Sequence, residues 1–313
     1  MTNTKVKRTA LDRKLDKIRQ AEESGKLGTK LTNRTLRKLT SNKLAVFGVI
    51  LFVVICVLCF GAPLFTIYSP TAISLREKIA PPSAAHIMGT DQMGRDIWAR
   101  MLYGGRISII VGLGSALGAA LLGVTLGLYV GYKGGLLDKL LMKISDIFMS
   151  IPQMVLIIII VALVGQSLQN LIVIFVLTGW PSMYRMARSK VLSLKEEEFV
   201  QALRAFGISD VKIAYKHLLP NAIGPIVVNI TLSTAMFILQ EASLSVLGYG
   251  VPQEIATWGN IINVITNSGT IRFDWLGYWW MWLPCAIMLI LFVLSINFIG
   301  DGLRDASDPT QIG

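Results

Sequence analysis

The chain has 313 residues, of which 53% are hydrophobic and only 16% charged, with a formal net charge of +11 and a mean hydropathy of +0.59. A soluble globular chain carries about 25% charged residues, so this composition excludes an ordinary soluble enzyme and describes a polytopic membrane protein. The surplus Lys and Arg flank apolar runs instead of mixing with polar and aromatic readers in a soluble domain, which argues against nucleic acid as a partner.

Residues 1–43 form a basic tail in which Leu11, Leu15 and Ile18 recur at helical spacing among Arg13, Lys14, Lys17 and Arg19. Such a segment either lies on an anionic lipid surface or extends into the cytoplasm. The first apolar run starts only near Leu44 and is too long for a signal-peptide core, so no cleavable leader is expected.

Six runs are long enough to cross about 30 Å of hydrocarbon: 44–66, 106–132, 145–165, 169–190, 222–246 and 281–300. The expected fold class is all-α, with six transmembrane helices. Residues 44–105 hold the first span and an outer loop broken by Pro70, Pro81 and Pro82, and residues 106–313 hold a five-helix core. Cys56 and Cys59 form a C-x-x-C within the first run, but without His or a second pair nearby they are packing or lipid-facing residues, as is Cys285. The second run carries Gly114, Gly118, Gly123, Gly127 and Gly131, a small-residue stripe suited to close helix packing. The third and fourth runs are joined by a tight Gly165-Gln166-Ser167 turn, and Pro181 is expected to kink the fourth.

Lys and Arg collect on one side: the tail, Lys133 to Lys143, Arg185 to Lys216, and Arg304. The positive-inside rule then places both termini and the 196–221 loop in the cytoplasm. The segments left outside run from about Ile67 to Gly105 and from about Leu247 to Trp280, the second with Trp258, Trp275, Trp279 and Trp280, and with Trp282 just after it, read as interfacial belt residues. Asp146 and Glu241 lie toward the ends of their spans and are expected to cap or to pair with a nearby base, Lys143 in the case of Asp146. His86 and His217 fall on opposite sides and make no shared metal site. No phosphate-binding loop or hydrolytic triad is present, so the chain is expected to be non-catalytic and to bind no cofactor.

The segment 196–221, EEEFVQALRAFGISDVKIAYKHLLPN, is polar and basic between two spans. Phe199, Ala202, Leu203 and Phe206 recur at helical spacing and Gly207 terminates them, which predicts a short exposed helix with an apolar face. A second amphipathic piece with Val211, Ile213, Ala214 and Leu218 is expected to stop at Pro220. A plain surface-lying helix is the alternative reading.

The spacing Gln201-Ala202-Leu203, three residues, Gly207, nine residues, His217, one residue, Leu219-Pro220 resembles the signature loop of ABC importer permeases. LRKLTSNKLAVFGVILF, HIMGTDQMGRDIWARMLYGGRISIIVG, DIFMSIPQ and EASLSVLGYGVPQEIATWG occur in order and resemble the C-type permease of dipeptide and oligopeptide importers. Gln201 and Leu203 depart from that family's Glu-Ala-Ala, while His217 suits the peptide-importing branch. The resemblance implies a multi-pass subunit of a bacterial or archaeal cytoplasmic membrane. It would pair with a homologous second permease, two ABC ATPase subunits that bind ATP and Mg, and an extracytoplasmic peptide-binding protein. The contact loop would comprise Phe199, Gln201, Ala202, Leu203, Ala205, Phe206, Gly207, His217, Leu219 and Pro220. Nickel, glutathione or another small solute are alternative cargoes, and an ion-coupled secondary transporter is the competing class.

Overall fold

The computed structural model describes residues 40–264 and 274–307, so the reading of the basic tail lies almost wholly outside the described residues. Among them the elements are helical. The Asn42 side-chain oxygen accepts from the Leu44 and Ala45 amides and opens α1 (Lys43–Phe60), satisfying two of the donors that a helix start leaves free. α1 is apolar on every face and largely exposed, as suits a helix solvated by lipid. A single turn, α2 (Ala62–Phe65), follows.

α3 (Ile97–Lys133) begins well before the expected start at Arg106. Asp96 caps it by accepting from the Ala99 amide at 2.7 Å, and Arg100 is buried beside Asp91, 3.6 Å away. Hydropathy reads these residues as loop because it does not register a cap or an internal ion pair. α4 (Gly135–Ser150) and α5 (Gln153–Val164) replace the expected straight third span and meet at a bend of 91°. Pro152 lacks the amide that would continue the ladder, and its ring keeps Ile151 extended. α6 (Leu168–Lys195) carries Pro181 inside one continuous helix. α7 (Glu198–Ala205), α8 (Asp210–Val246), α9 (Trp258–Ile262) and α10 (Leu283–Ser307) complete the order.

Among the described residues four helices are long and apolar enough to cross a membrane, α1, α3, α8 and α10, with the bent α4–α5 pair making up to five, against the six expected. α6 has 28 residues, but its part from Thr178 onward is polar, and Thr178, Trp180, Tyr184 and Ala187 are buried against protein instead of meeting lipid.

Close crossings set the directions. α1 and α10 run antiparallel, since Asn42 bonds Asp305 at 3.3 Å and a Cβ on Gly48 would lie 2.8 Å from the Ser295 carbonyl oxygen. α1 ends against the start of α3, where Arg106 donates to the Cys59 and Phe60 carbonyls at 2.6 and 2.8 Å. α3 and α6 run parallel: a Cβ on Gly123 would sit 2.5 Å from the Trp180 oxygen, and one on Gly127 2.7 Å from that of Tyr184. Gly118 faces Val176 and Gly131 faces Arg188. Gly114 differs from the expected stripe, with nothing within 4 Å. Each four-residue step rotates a helix face by about 40°, so the stripe has turned away from α6 at that level. Asn42, Asp305, the end of α3 and the start of α8 consequently share one end of the bundle. Segments 67–96, 247–264 and 274–282 lie at the other, where Gly89 lies against Trp280.

Trp258 is not a belt residue. It is fully buried, with its indole N–H donating to the Met101 carbonyl at 3.1 Å and its ring 5.3 Å from that of Phe292. The closely approaching backbone of Gly104 and Gly105 makes room for it.

Candidate functional site

At the shared end of the bundle, α7 is a helix of 8 residues joined to the end of α3 through Arg204 and Tyr132. Its inner face is made by Val200, fully buried, and by Leu203, which packs on the core together with Ile208. Leu203 thus belongs to the bundle and not to the exposed face on which spacing had placed it. Arg204 is also fixed: its Nε donates to the Tyr132 hydroxyl at 2.7 Å and its guanidinium lies 4.9 Å from the Tyr132 ring centroid. Lys195 Nζ stands 5.8 Å from the same ring. Tyr132 is itself buried, so two cations grip one aromatic pillar.

The outer face carries Phe199, Ala202 and Phe206, with Ala205 and Gln201 at its margins, all exposed. Phe206 is 83% exposed, an unusual position for a large apolar side chain. The helix closes on Gly207, whose φ of +70° suits a residue without a side chain, and the Ile208 amide reaches back to the Leu203 carbonyl at 3.2 Å. A Cβ at Gly207 would meet nothing within 4 Å, so the requirement for glycine there is conformational.

The chain then re-enters helix at Asp210 and does not stop at Pro220. Residues Ile213–Leu218 form a π-helical turn, in which the Leu219 amide bonds the Ala214 carbonyl, and Pro220 falls in the first turn of the α-segment that follows. Pro220 costs the helix one amide donor, and the departure from regular α bonding falls directly before it, at the π turn. Ile213, Ala214 and Leu218 are fully buried, and Tyr215 donates to the Thr125 carbonyl at 3.0 Å. His217 and Leu219 are half-buried and Pro220 is exposed.

α4 is fastened to α6 by its polar side. Asp138 accepts from Arg188 Nε and Nη2, both at 2.6 Å, and from the Tyr184 hydroxyl at 2.9 Å. Arg185 donates to Ser145 at 3.0 Å and pairs with Asp146. The partner of Asp146 is therefore Arg185 and not Lys143, because Arg185 projects from the facing helix. Glu241 is fully buried and takes hydrogen bonds from Ser108 and Ser245, at 3.3 and 3.0 Å, so its described partners are hydroxyls and not a base. Ser108 also accepts from the Trp258 amide at 3.1 Å, which ties α3, α8 and α9 together.

Sequence reasoning missed Val200, Tyr132, Lys195 and the anchoring role of Arg204. Tyr132 and Arg204 are separated by 72 residues, and no local spacing connects them. In the opposite cap, His86 bonds Asp96 at 2.8 Å and Asp91 accepts from Arg95 at 2.6 Å, so charges that read as a free outer loop form a folded polar network.

A helical bundle with long apolar helices suited to a membrane, and a small helix at one end whose apolar face is exposed, defines a polytopic all-α membrane protein. The family described as "binding-protein-dependent transport system inner membrane component" matches residues 123–312, and the "N-terminal TM domain of oligopeptide transport permease C" matches residues 30–82. The chain belongs to this family of ABC importer permeases. It is 37% identical to the dipeptide transport system permease protein DppC of Bacillus subtilis, over 94% of this chain and 90% of that one. It is 40% identical to DppC of Alkalihalophilus pseudofirmus, over 87% and 88%, and 36% identical to the oligopeptide transport system permease protein OppC of Bacillus subtilis, over 92% and 93%. A solved structure of the inward-facing MetNI methionine ABC transporter has a similar fold, with a TM-score of 0.52 at 23% identity over 67% of this chain and 96% of that one.

Proposed function

We propose that this chain forms half of the translocation path of an ATP-driven importer of dipeptides or oligopeptides, and that α7 is its contact with a separate ATPase subunit. The observation that carries the reading is the division of α7. Val200, Leu203 and Arg204 bind it to the bundle, while Phe199, Ala202 and Phe206 stand outward with no described neighbour to cover them. An apolar ridge of this kind, mounted on a rigid support, passes motion in a partner to the spans, and closure of a nucleotide-binding partner can then turn the path from one face to the other. The peptide cargo is carried over from the dipeptide and oligopeptide permeases to which the chain is similar. On this reading the remaining members are a homologous second permease, a second ATPase subunit and an extracytoplasmic peptide-binding protein. ATP and Mg belong to the ATPases, the membrane is the cell membrane, and α7 and both termini are cytoplasmic.

The test is Ala202→Asp in the assembled complex, followed by ATPase retention on membranes and peptide uptake. Loss of both with normal abundance supports the reading, and undiminished uptake overturns the assignment of α7. Peptide uptake by the chain without any ATPase would favour an ion-coupled carrier instead.

A further inference from the structure

The bend between α4 and α5 lines a cavity of about 510 Å³ together with the middle of α6 and the C-terminal third of α8. Its polar lining is Ser150, Gln153, Thr178, Ser182, Ser233 and Gln240, set among apolar groups such as Phe237. No charged side chain lines it among the described residues. Gln240 Nε2 donates to Gln153 Oε1 at 3.0 Å, and Gln153 Nε2 reaches toward the Thr178 hydroxyl at 3.5 Å. Gln240 Oε1 is buried and finds no donor among the described residues. Buried acceptors are almost always satisfied, so this one calls for a ligand that donates.

We infer that this cavity is a subsite for the peptide main chain in transit, with Gln153 and Gln240 as the pair that reads backbone N–H and C=O groups. The inference rests on the peptide-importer reading above and names the site within it. Peptides of different sequence share only their backbone amides, and a glutamine amide both donates and accepts as they do. Opening the Gln153–Gln240 bond onto a backbone amide exchanges one neutral hydrogen bond for another, so the hold is weak and reversible. A fixed charge here would trap one class of side chain and repel another across a poorly screened distance. The all-neutral lining avoids both outcomes, which suits a path that many sequences must cross.

The test uses proteoliposomes containing the full importer and saturating binding protein, with Ala-Lys-Ala and Ala-Asp-Ala as probes. Gln240→Glu is isosteric and adds a charge; it should shift the import ratio toward the Lys peptide by at least about threefold relative to the unsubstituted complex. Gln240→Leu should slow both peptides alike and leave the ratio unchanged. In parallel, a photoreactive p-benzoylphenylalanine at Ser182, which is exposed to the cavity, should capture labelled Ala-Ala-Ala during turnover. An unchanged ratio in Gln240→Glu, or capture of the second permease alone, overturns the subsite while leaving the peptide-importer reading standing. If the unsubstituted complex imports neither peptide, the importer reading itself fails and the subsite with it.

Discussion

At the scale of single residues, Ala202 and Arg204 on α7 and Gly207 just past its end show how three nearby residues come to do different work. Ala202 faces outward, so a carboxylate there meets nothing until a partner docks, and it then stands unpaired in a closed interface. The cost is about 3 kcal/mol or more, roughly a hundredfold in partner affinity. Ala202→Asp should therefore keep normal abundance and release the ATPase from washed membranes. Arg204 stands in a polar and basic stretch of the sequence, where a polar substitution such as Arg204→Gln is ordinarily mild. Its hydrogen bond and cation–π contact with Tyr132 reverse that expectation. Losing both removes about 1–3 kcal/mol of local anchoring, so Arg204→Gln should lower uptake and expose the α7 amides to faster hydrogen exchange. Gly207→Val places a β-branched side chain at φ +70°, a local strain of about 1–2 kcal/mol, and should lower coupling with little change in abundance.

At the scale of elements, the α3–α6 contact and the α4 latch make separable predictions. Gly123→Leu drives a side chain into the Trp180 carbonyl, already 2.5 Å from a bare Cβ, and overpacking of this kind costs about 1–3 kcal/mol. Its abundance and thermal midpoint in detergent should fall, whereas Gly114→Leu, which enters open space within the chain, should leave both unchanged. α4 turns its polar side inward and leaves Leu136 and Ile147 exposed, so its attachment to α6 is made mainly by ion pairs, with Phe148 edge-on to Trp180 as an apolar contact beside them. Asp138→Asn leaves Arg188 without its bidentate partner, a loss of roughly 2 kcal/mol after allowing for partial exposure. A lowered thermal midpoint, measured on the assembled complex, is the expected result.

At the scale of the whole molecule, the crossings of α1 with α10 and of α3 with α6 bring Asn42, Asp305, Tyr132 and α7 to one end, and segments 67–96, 247–264 and 274–282 to the other. Single cysteines at Ser83 and Ser209, both exposed and at opposite ends, test which end is cytoplasmic. An impermeant thiol reagent added to intact cells should label the first and not the second, and labelling at Ser209 would invert the whole assignment.

Hydropathy and Gly spacing along the chain were enough to determine a helical membrane protein, the close approach of α3 to its neighbours and the presence of α7, because each depends on a pattern repeated within one element. The resemblance of four ordered blocks to the peptide-importer permeases was legible for the same reason, being written in contiguous residues. The broken third span, the polar half of α6, the buried Trp258, the pairing of Asp146 with Arg185 and the anchoring of Arg204 on Tyr132 were decided only by the tertiary structure. The break follows from Pro152 within the span itself, whereas the others depend on a group supplied by another helix, in the case of Tyr132 and Arg204 from 72 residues away; a charge or an indole that finds such a partner no longer follows the preference that its own neighbours in sequence suggest.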